Sequence, residues 1–308
     1  MNGDSHFVRW GVIGPGRAAA RFAQGLAGVP YSVIASVWGR NPDRARSYAE
    51  RFHVQYVATS LDEFVSSPID AVYVATHPDT HASLCVAALS TGKHVLCEKP
   101  VALSVAQLES VLAAARGNDR LFMEAMKPPF FPLYQRLRAH LAADPIGTIG
   151  FVRAGHSDST LSPDYPLHFR ELGGGGILGI GPYEAFLALD WLGDLQQMQV
   201  MGRLSPAGVD SFAAIQTQHQ RGYAQLHTGL DLLSLGDALL CAPGGYVKIH
   251  ANWWNPLRAT VHYVEGREVS LDEPYLHGGF NTRHSISANC CAMVSERAPR
   301  SPMPCRWG

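Results

Sequence analysis

Glu98-Lys99-Pro100, at the end of the apolar run His94-Val95-Leu96-Cys97, is the stretch richest in chemistry. A lysine delivered from the end of a buried strand can hydrogen-bond a substrate oxygen and stabilise developing alkoxide charge. A second segment gives it context: Gly14-Pro15-Gly16-Arg17-Ala18-Ala19 separates a strand-like run from a helix-like one. There Gly14 permits a tight turn, Gly16 lets the backbone approach a pyrophosphate, and Ala19 keeps helix and strand close. Arg17 and Ala18 open the helix, whose N–H groups and positive dipole end suit phosphates. A dinucleotide turn followed by a lysine on the same sheet points to hydride transfer. In that chemistry the cofactor carries the hydride while the protein handles orientation and protons.

The apolar pattern defines the elements that must position these groups. Val8–Ile13, Ser32–Trp38, Val54–Ala58, Ala71–Thr76, His94–Cys97 and Leu121–Glu124 read as short buried strands. Arg17–Ala27, Pro42–Phe52, Thr80–Thr91 and Ser104–Arg116 read as helices between them. This alternation predicts a Rossmann-type doubly wound parallel sheet, with ligands at the carboxyl ends of its strands. After the second strand comes Trp38-Gly39-Arg40-Asn41-Pro42, with no carboxylate before Asp43. An acid there would bind the ribose of NAD, whereas Arg40 suits a 2′-phosphate, so NADP is expected over NAD.

From Thr148 the pattern changes to short alternating runs: Thr148–Ala154, Met198–Leu204, Phe212–Gln218, Tyr223–Gly229, Asp237–Cys241, Tyr246–His250 and Ala259–Val264. Glycine, proline and polar turns separate them, and Pro182–Trp191 is the main helical pattern, so a mostly antiparallel sheet is expected. The boundary falls near residue 126, just before the proline cluster at 128–132. This divides the chain into a dinucleotide-binding domain (1–126) and a second domain (127–308). His156, His168 and Arg170 lie in or before the loop leading to the glycine run at 173–176 and are candidates for substrate hydroxyl contacts.

The 308 residues are 46% apolar and 17% charged, with a formal net charge of −1, which gives no footing for nucleic acid or an anionic membrane. Gly173 to Gly193 is the most apolar stretch, but its glycines and Glu184 and Asp190 argue against lipid. No basic-then-apolar leader opens the sequence. Cysteines at 85, 97, 241, 290, 291 and 305 form no CxxC pairs, so reduced thiols in the cytoplasm and no metal site are expected.

Gly14-x-Gly16-x-x-Ala19, Thr76-His77-Pro78-x-x-His81, Gly92-Lys93-His94-Val95-x-Cys97-Glu98-Lys99-Pro100 and the run Gly173 to Tyr183 together resemble the Gfo/Idh/MocA family. Phe122-Met123-Glu124-Ala125-Met126 and Gly181-Pro182-Tyr183 are most similar to its branch of dimeric dihydrodiol dehydrogenases and NADP-dependent D-xylose dehydrogenases. The resemblance implies an N-terminal Rossmann domain and a C-terminal α/β domain with an open, mostly antiparallel sheet, often in a homodimer, and it assigns substrate binding and dimerisation to residues 127–308. It implies hydride transfer between a nicotinamide and a sugar, cyclic polyol or trans-dihydrodiol, with Lys99 as catalytic residue and Tyr183 as acid/base. A phenol ordinarily titrates near ~10, so a nearby cation such as Lys99 has to lower it. Thr76, His81 and Glu98 complete the cofactor side, with Asp79 replacing the family's usual asparagine. Pro100 is a position for a cis peptide.

Two departures stand out. Gly179 occupies the family's aspartate position, leaving Asp158, Asp164 or Glu184 to compensate, or room for a bulkier substrate. The chain also ends near Ser301-Pro302-Met303-Pro304, where the family continues into a helix, so an uncovered apolar groove or an added oligomer contact is expected. Since some proteins of this fold are sugar-signal regulators, a non-catalytic NADP(H) sensor is the alternative reading. Trp253-Trp254 is expected in the core.

Overall fold

The computed structural model of the protein describes residues 7–274. They form two compact units, residues 7–76 with 80–125 and residues 77–79 with 126–274. In the first unit β1 (Val8–Ile13), β2 (Ser32–Trp38), β3 (Tyr56–Val57), β4 (Ala71–Val74), β5 (His94–Cys97) and β6 (Phe122–Glu124) form one sheet, ordered β3-β2-β1-β4-β5-β6. Every pairing is parallel. Crossovers run through α1 (Arg17–Leu26), α2 (Pro42–Phe52), α3 (Leu61–Ser66), α4 (Pro78–Ser90) and α5 (Val105–Gly117). β4 is buried along its whole length, as a strand covered on both faces must be. Strand order reverses between β1 and β4, which places the ligand crevice of a doubly wound sheet at their carboxyl ends. Phe22 of α1 stacks on Tyr73 of β4 at 4.2 Å between ring centres and meets Trp10 of β1 edge-on at 5.1 Å. On the other face, Phe64, Val72, Val74, Leu89 and Val95 form a second apolar cluster.

The second unit contains α6 (Pro132–Ala143), α7 (Gly176–Gly179) and α8 (Gly181–Leu192). Its strands are β7 (Phe151–Ser157), β8 (Leu195–Leu204), β9 (Asp210–His219), β10 (Gly222–Gly229), β11 (Ala238–Ala242), β12 (Gly245–Ile249), β13 (Arg258–Tyr263) and β14 (Glu268–Asp272). They form an eight-stranded sheet ordered β14-β13-β12-β11-β7-β10-β9-β8. Only the β7–β10 pair is parallel. The mixed sheet therefore has the mostly antiparallel character expected. Leu137 of α6 and Leu187 and Leu192 of α8 pack over Val152, Leu226, Leu240 and Val261, and Trp253 joins this core. The other face leaves Tyr223, Tyr246 and Met201 exposed, and edge strand β8 is exposed at every residue.

α3, α6, α7 and β14 are additions to the elements expected from the pattern. α6 starts at Pro132, a residue compatible with the first helical turn because its missing N–H would lack an intrahelical acceptor there anyway. Arg170–Leu192 is, among the described residues, the one stretch apolar and long enough for a membrane span. It is broken around Gly173–Gly175 and Ile180, and α8 buries Leu187, Ala188 and Leu192 in the core. The expectation about a final helix concerns residues that lie outside those described.

Candidate active site

The glycine turn has a geometry that could cradle a phosphate. Gly14 has φ +84°, and a Cβ there would stand 2.7 Å from Thr76 Cγ2 and 2.9 Å from the Ala75 backbone. Only glycine satisfies both constraints. Gly14 N–H donates to Trp38 O at 3.0 Å and Gly16 N–H to Gly14 O at 2.8 Å. A Cβ at Gly16 would meet nothing nearer than Gly14 O at 4.0 Å, so the backbone there faces open space. α1 begins at Arg17 with neither a side-chain cap nor an acid in its first turn, leaving its positive end to attract an external anion. Ala19 is fully buried, and its carbonyl accepts from Tyr48 Oη at 2.9 Å. A dinucleotide pyrophosphate fits this turn.

Gly39 holds the end of β2 against the same turn, since a Cβ there would lie 2.6 Å from Pro15 Cδ. Arg40 follows, exposed. Asn41 caps α2 by accepting from Arg44 N at 3.0 Å, while Asp43 pairs with Arg46 on the helix. The nearest carboxylate is thus committed to α2, and Arg40 is left facing solvent.

His81, 1% exposed, ties the loops after β4 and β5 together: Nδ1 lies 2.8 Å from Pro100 O and Nε2 3.1 Å from Thr76 O. Both partners accept only, so both ring nitrogens donate together only in the protonated ring. Thr80 Oγ1 donates to Thr76 Oγ1 at 2.8 Å. Lys99–Pro100 is a cis peptide, as expected, and Lys99 is half-buried. Glu98 N–H donates to Val74 O at 2.9 Å, and its carboxylate accepts from Tyr73 Oη at 2.5 Å. Burial, followed by the Glu98 charge, pushes the Tyr73 phenol far up, keeping it a donor. Glu124 accepts from Val101 N at 3.3 Å, and burial pushes its carboxyl up against the opposing pull of Val101 N–H and Lys99.

In the second unit Tyr183 sits in the first turn of α8, half-buried against the core. The preceding glycine run folds tightly. A Cβ at Gly174 would lie 2.5 Å from Leu167 O, and Gly175 has φ +113°. Asp210, at the start of β9, accepts from Ile177 N at 2.7 Å and anchors α7, whose N-cap residue Gly175 has no side chain. A Cβ at Gly179 would lie 2.3 Å from Leu167 Cδ2. Leu167 fills that volume, so the space expected for a bulkier substrate is occupied. As for compensation, Asp158 accepts from Thr160 N (2.8 Å) and Oγ1 (2.6 Å) in a local turn, Asp164 is exposed, and Glu184 is buried in α8.

His156 lies opposite Thr228 in register, with its ring 3.9 Å from that of Trp254. Thr228 Oγ1 would be 3.1 Å from a Cβ at Gly176, which puts His156 at the α7 end of the sheet. His168 is half-buried in a 3-10 turn, Pro166–His168. Arg170 is exposed, its side chain running beside Gly208 of the β8–β9 turn. The first unit therefore gathers Gly14, Gly16, Arg17, Ala18, Thr76, His81, Glu98 and Lys99 at one edge of its sheet, with Arg40 alongside. Glu124, Tyr73, Leu167 and Asp210 were not anticipated. Only Glu124, a carboxylate ending an apolar strand, carried a local signal.

Residues 8–126 match the family described as "Oxidoreductase family, NAD-binding Rossmann fold" (GFO_IDH_MocA). The chain is 30% identical over 276 residues to trans-1,2-dihydrobenzene-1,2-diol dehydrogenase of Xenopus tropicalis, spanning 87% of this chain and 82% of the relative. It is 27% identical over 281 residues to scyllo-inositol 2-dehydrogenase (NADP(+)) IolU of Bacillus subtilis, spanning 87% and 84%. Among solved structures, a 3-ketoreductase from Actinomadura kijaniata in complex with NADP and TDP-benzene superposes with TM-score 0.83 at 26% identity, covering 95% of this chain and 91% of that one. A levoglucosan dehydrogenase in complex with NADH and levoglucosan shares the fold at TM-score 0.85 and 17% identity, covering 96% and 92%.

Proposed function

This chain belongs to the Gfo/Idh/MocA family of NAD(P)-binding oxidoreductases, and from that premise we propose that it is an NADP-dependent dehydrogenase or reductase acting on a CH–OH group of a trans-dihydrodiol, cyclic polyol or sugar. The observation that carries the reading is the Gly14 turn, closed to any side chain, on the same sheet edge as the Lys99 turn. Gly14, Gly16 and the first turn of α1 hold the pyrophosphate; Thr76, His81 and Glu98 line the nicotinamide end. When bound, the cofactor accepts or gives the hydride. Arg40 receives the 2′-phosphate, a role supported by its exposure and by the commitment of Asp43 to Arg46.

Lys99 donates to the substrate oxygen and stabilises its developing charge, and Tyr183 takes or returns the hydroxyl proton. His156, His168 and Arg170 contact substrate hydroxyls from a substrate-binding domain spanning residues 127–308, while residues 1–126 bind the cofactor. The protein works in the cytoplasm as a homodimer, with the exposed Tyr223, Tyr246 and Met201 face as its contact; sedimentation velocity giving a monomer would remove that element.

The test follows nicotinamide absorbance with NADP⁺ and NAD⁺ across trans-dihydrodiols, cyclic polyols and aldoses. Turnover with NADP⁺ is expected, with Lys99→Met lowering kcat by about 10²–10⁴-fold. Full activity in that variant overturns the role of Lys99. Gly179 under Leu167, where the family places a carboxylate, favours a second reading, an NADP(H) sensor. Tight cofactor binding with no turnover on the panel would select it.

A further inference from the structure

We propose that Glu124 is a positioning residue for Lys99, bracing the turn that delivers it and supplying the negative charge that holds its ammonium protonated. This rests on the assignment of Lys99 as the group that meets the substrate oxygen. Cys97 and Glu124 are register partners at the ends of β5 and β6, a pairing secured by Ala125 N–H donating to Cys97 O at 2.7 Å. The turn from Glu98 to Val101 is then tied on both sides of the lysine by bonds already described: Glu98 to Tyr73 and Val74, Pro100 to His81, Val101 to Glu124. Those bonds fix the backbone from which the Lys99 side chain departs.

The charge is the feature that needs explaining. The bond to Val101 N–H requires only an acceptor, which a neutral amide would supply without burying a carboxylate. The ionisable groups facing Glu124 are Lys99, Glu98 and Cys97, with Tyr73 hydrogen-bonded to Glu98 behind them. Of these only Lys99 is a cation. A carboxylate there favours the charged form of the lysine, and Glu98 acts in the same sense. The buried acid is therefore placed where it serves the lysine at a cost to its own solvation.

The chain has four lysines, Lys93, Lys99, Lys127 and Lys248, so each can be titrated individually by NMR with ε-¹³C-labelled lysine. In full-length Glu124→Gln, the proton affinity of Lys99 is expected to fall about tenfold while the other three keep theirs. The basic limb of the kcat profile moves to lower pH in step. Tm stays level or rises, because the amide keeps the Val101 bond and removes a buried charge. Glu124→Asp, which retains the carboxylate, restores most of the Lys99 affinity. An unchanged Lys99 titration, or a Glu124→Gln protein that loses stability or fails to fold, overturns the proposal. A Lys99 shift in a protein that turns over no alcohol leaves the positioning intact and removes the dehydrogenase reading instead.

Discussion

Leu167 and Gly179 share one volume. Any side chain at Gly179 starts 2.3 Å from Leu167 Cδ2 and 2.7 Å from its Cδ1, so the leucine must move before an aspartate can enter. Introducing a carboxylate there combines overpacking with burial of charge beside an isobutyl group. Gly179→Asp is expected to cost about 2–3 kcal/mol in urea denaturation. In a Leu167→Ala background the same change should cost less than half as much, since neighbours sharing a cavity couple. Strictly additive losses across the four proteins would show that the two residues do not compete for space. The glycine turn and Lys99 were legible in the sequence because each acts within a contiguous motif. Leu167 was not, because its relation to Gly179 is made by the fold of an irregular loop with no periodicity to reveal it.

At the level of elements, Asp210 does for α7 what an N-cap side chain normally does, from the start of a strand far along the chain. Burial pushes its carboxyl up, while the N–H groups of Ile177, Asp210 itself and Gly176 pull it down. Asp210→Ala is expected to lower stability by about 2 kcal/mol and reduce kcat more than cofactor affinity, because the run leading to Tyr183 loosens. An unchanged kcat with lowered Tm would confine Asp210 to stability. The parallel strands were readable because each is a short apolar run closed by a turn, and the hairpin sheet because its runs alternate. α3 had a readable signal: Ser60 Oγ accepts from Glu63 N at 3.1 Å, the serine and glutamate spacing of a capped helix start. α6 was hidden by the prolines ahead of it, and β14 by its charged ends, which leave Val269 and Leu271 as its apolar residues.

Across the molecule, the two sheets depend on different fastenings. In the first, Arg9 grips Asp70 through Nε at 3.0 Å, Nη2 at 2.9 Å and its backbone N–H at 2.8 Å, joining the starts of β1 and β4 at the strand-order reversal. Burial alone would push the Asp70 carboxyl up, but the Arg9 side chain and backbone outweigh it and hold it below its ordinary value. Its stabilisation is thus present above the unfolded carboxylate range and lost as pH falls through the lower folded value. Asp70→Asn should cost about 1 kcal/mol at pH 7, the pair being partly exposed. The difference from wild type should close as pH falls below that lowered value, and a gap persisting in acid would place the effect elsewhere. In the second sheet the bond from Asp210 to Ile177 has a consequence for engineering. The loop after β7 and the glycine run are not a transplantable cassette, because their anchor lies beyond β8. A chimera exchanging residues 158–193 with a relative must carry position 210 with it, or the graft arrives without its mooring.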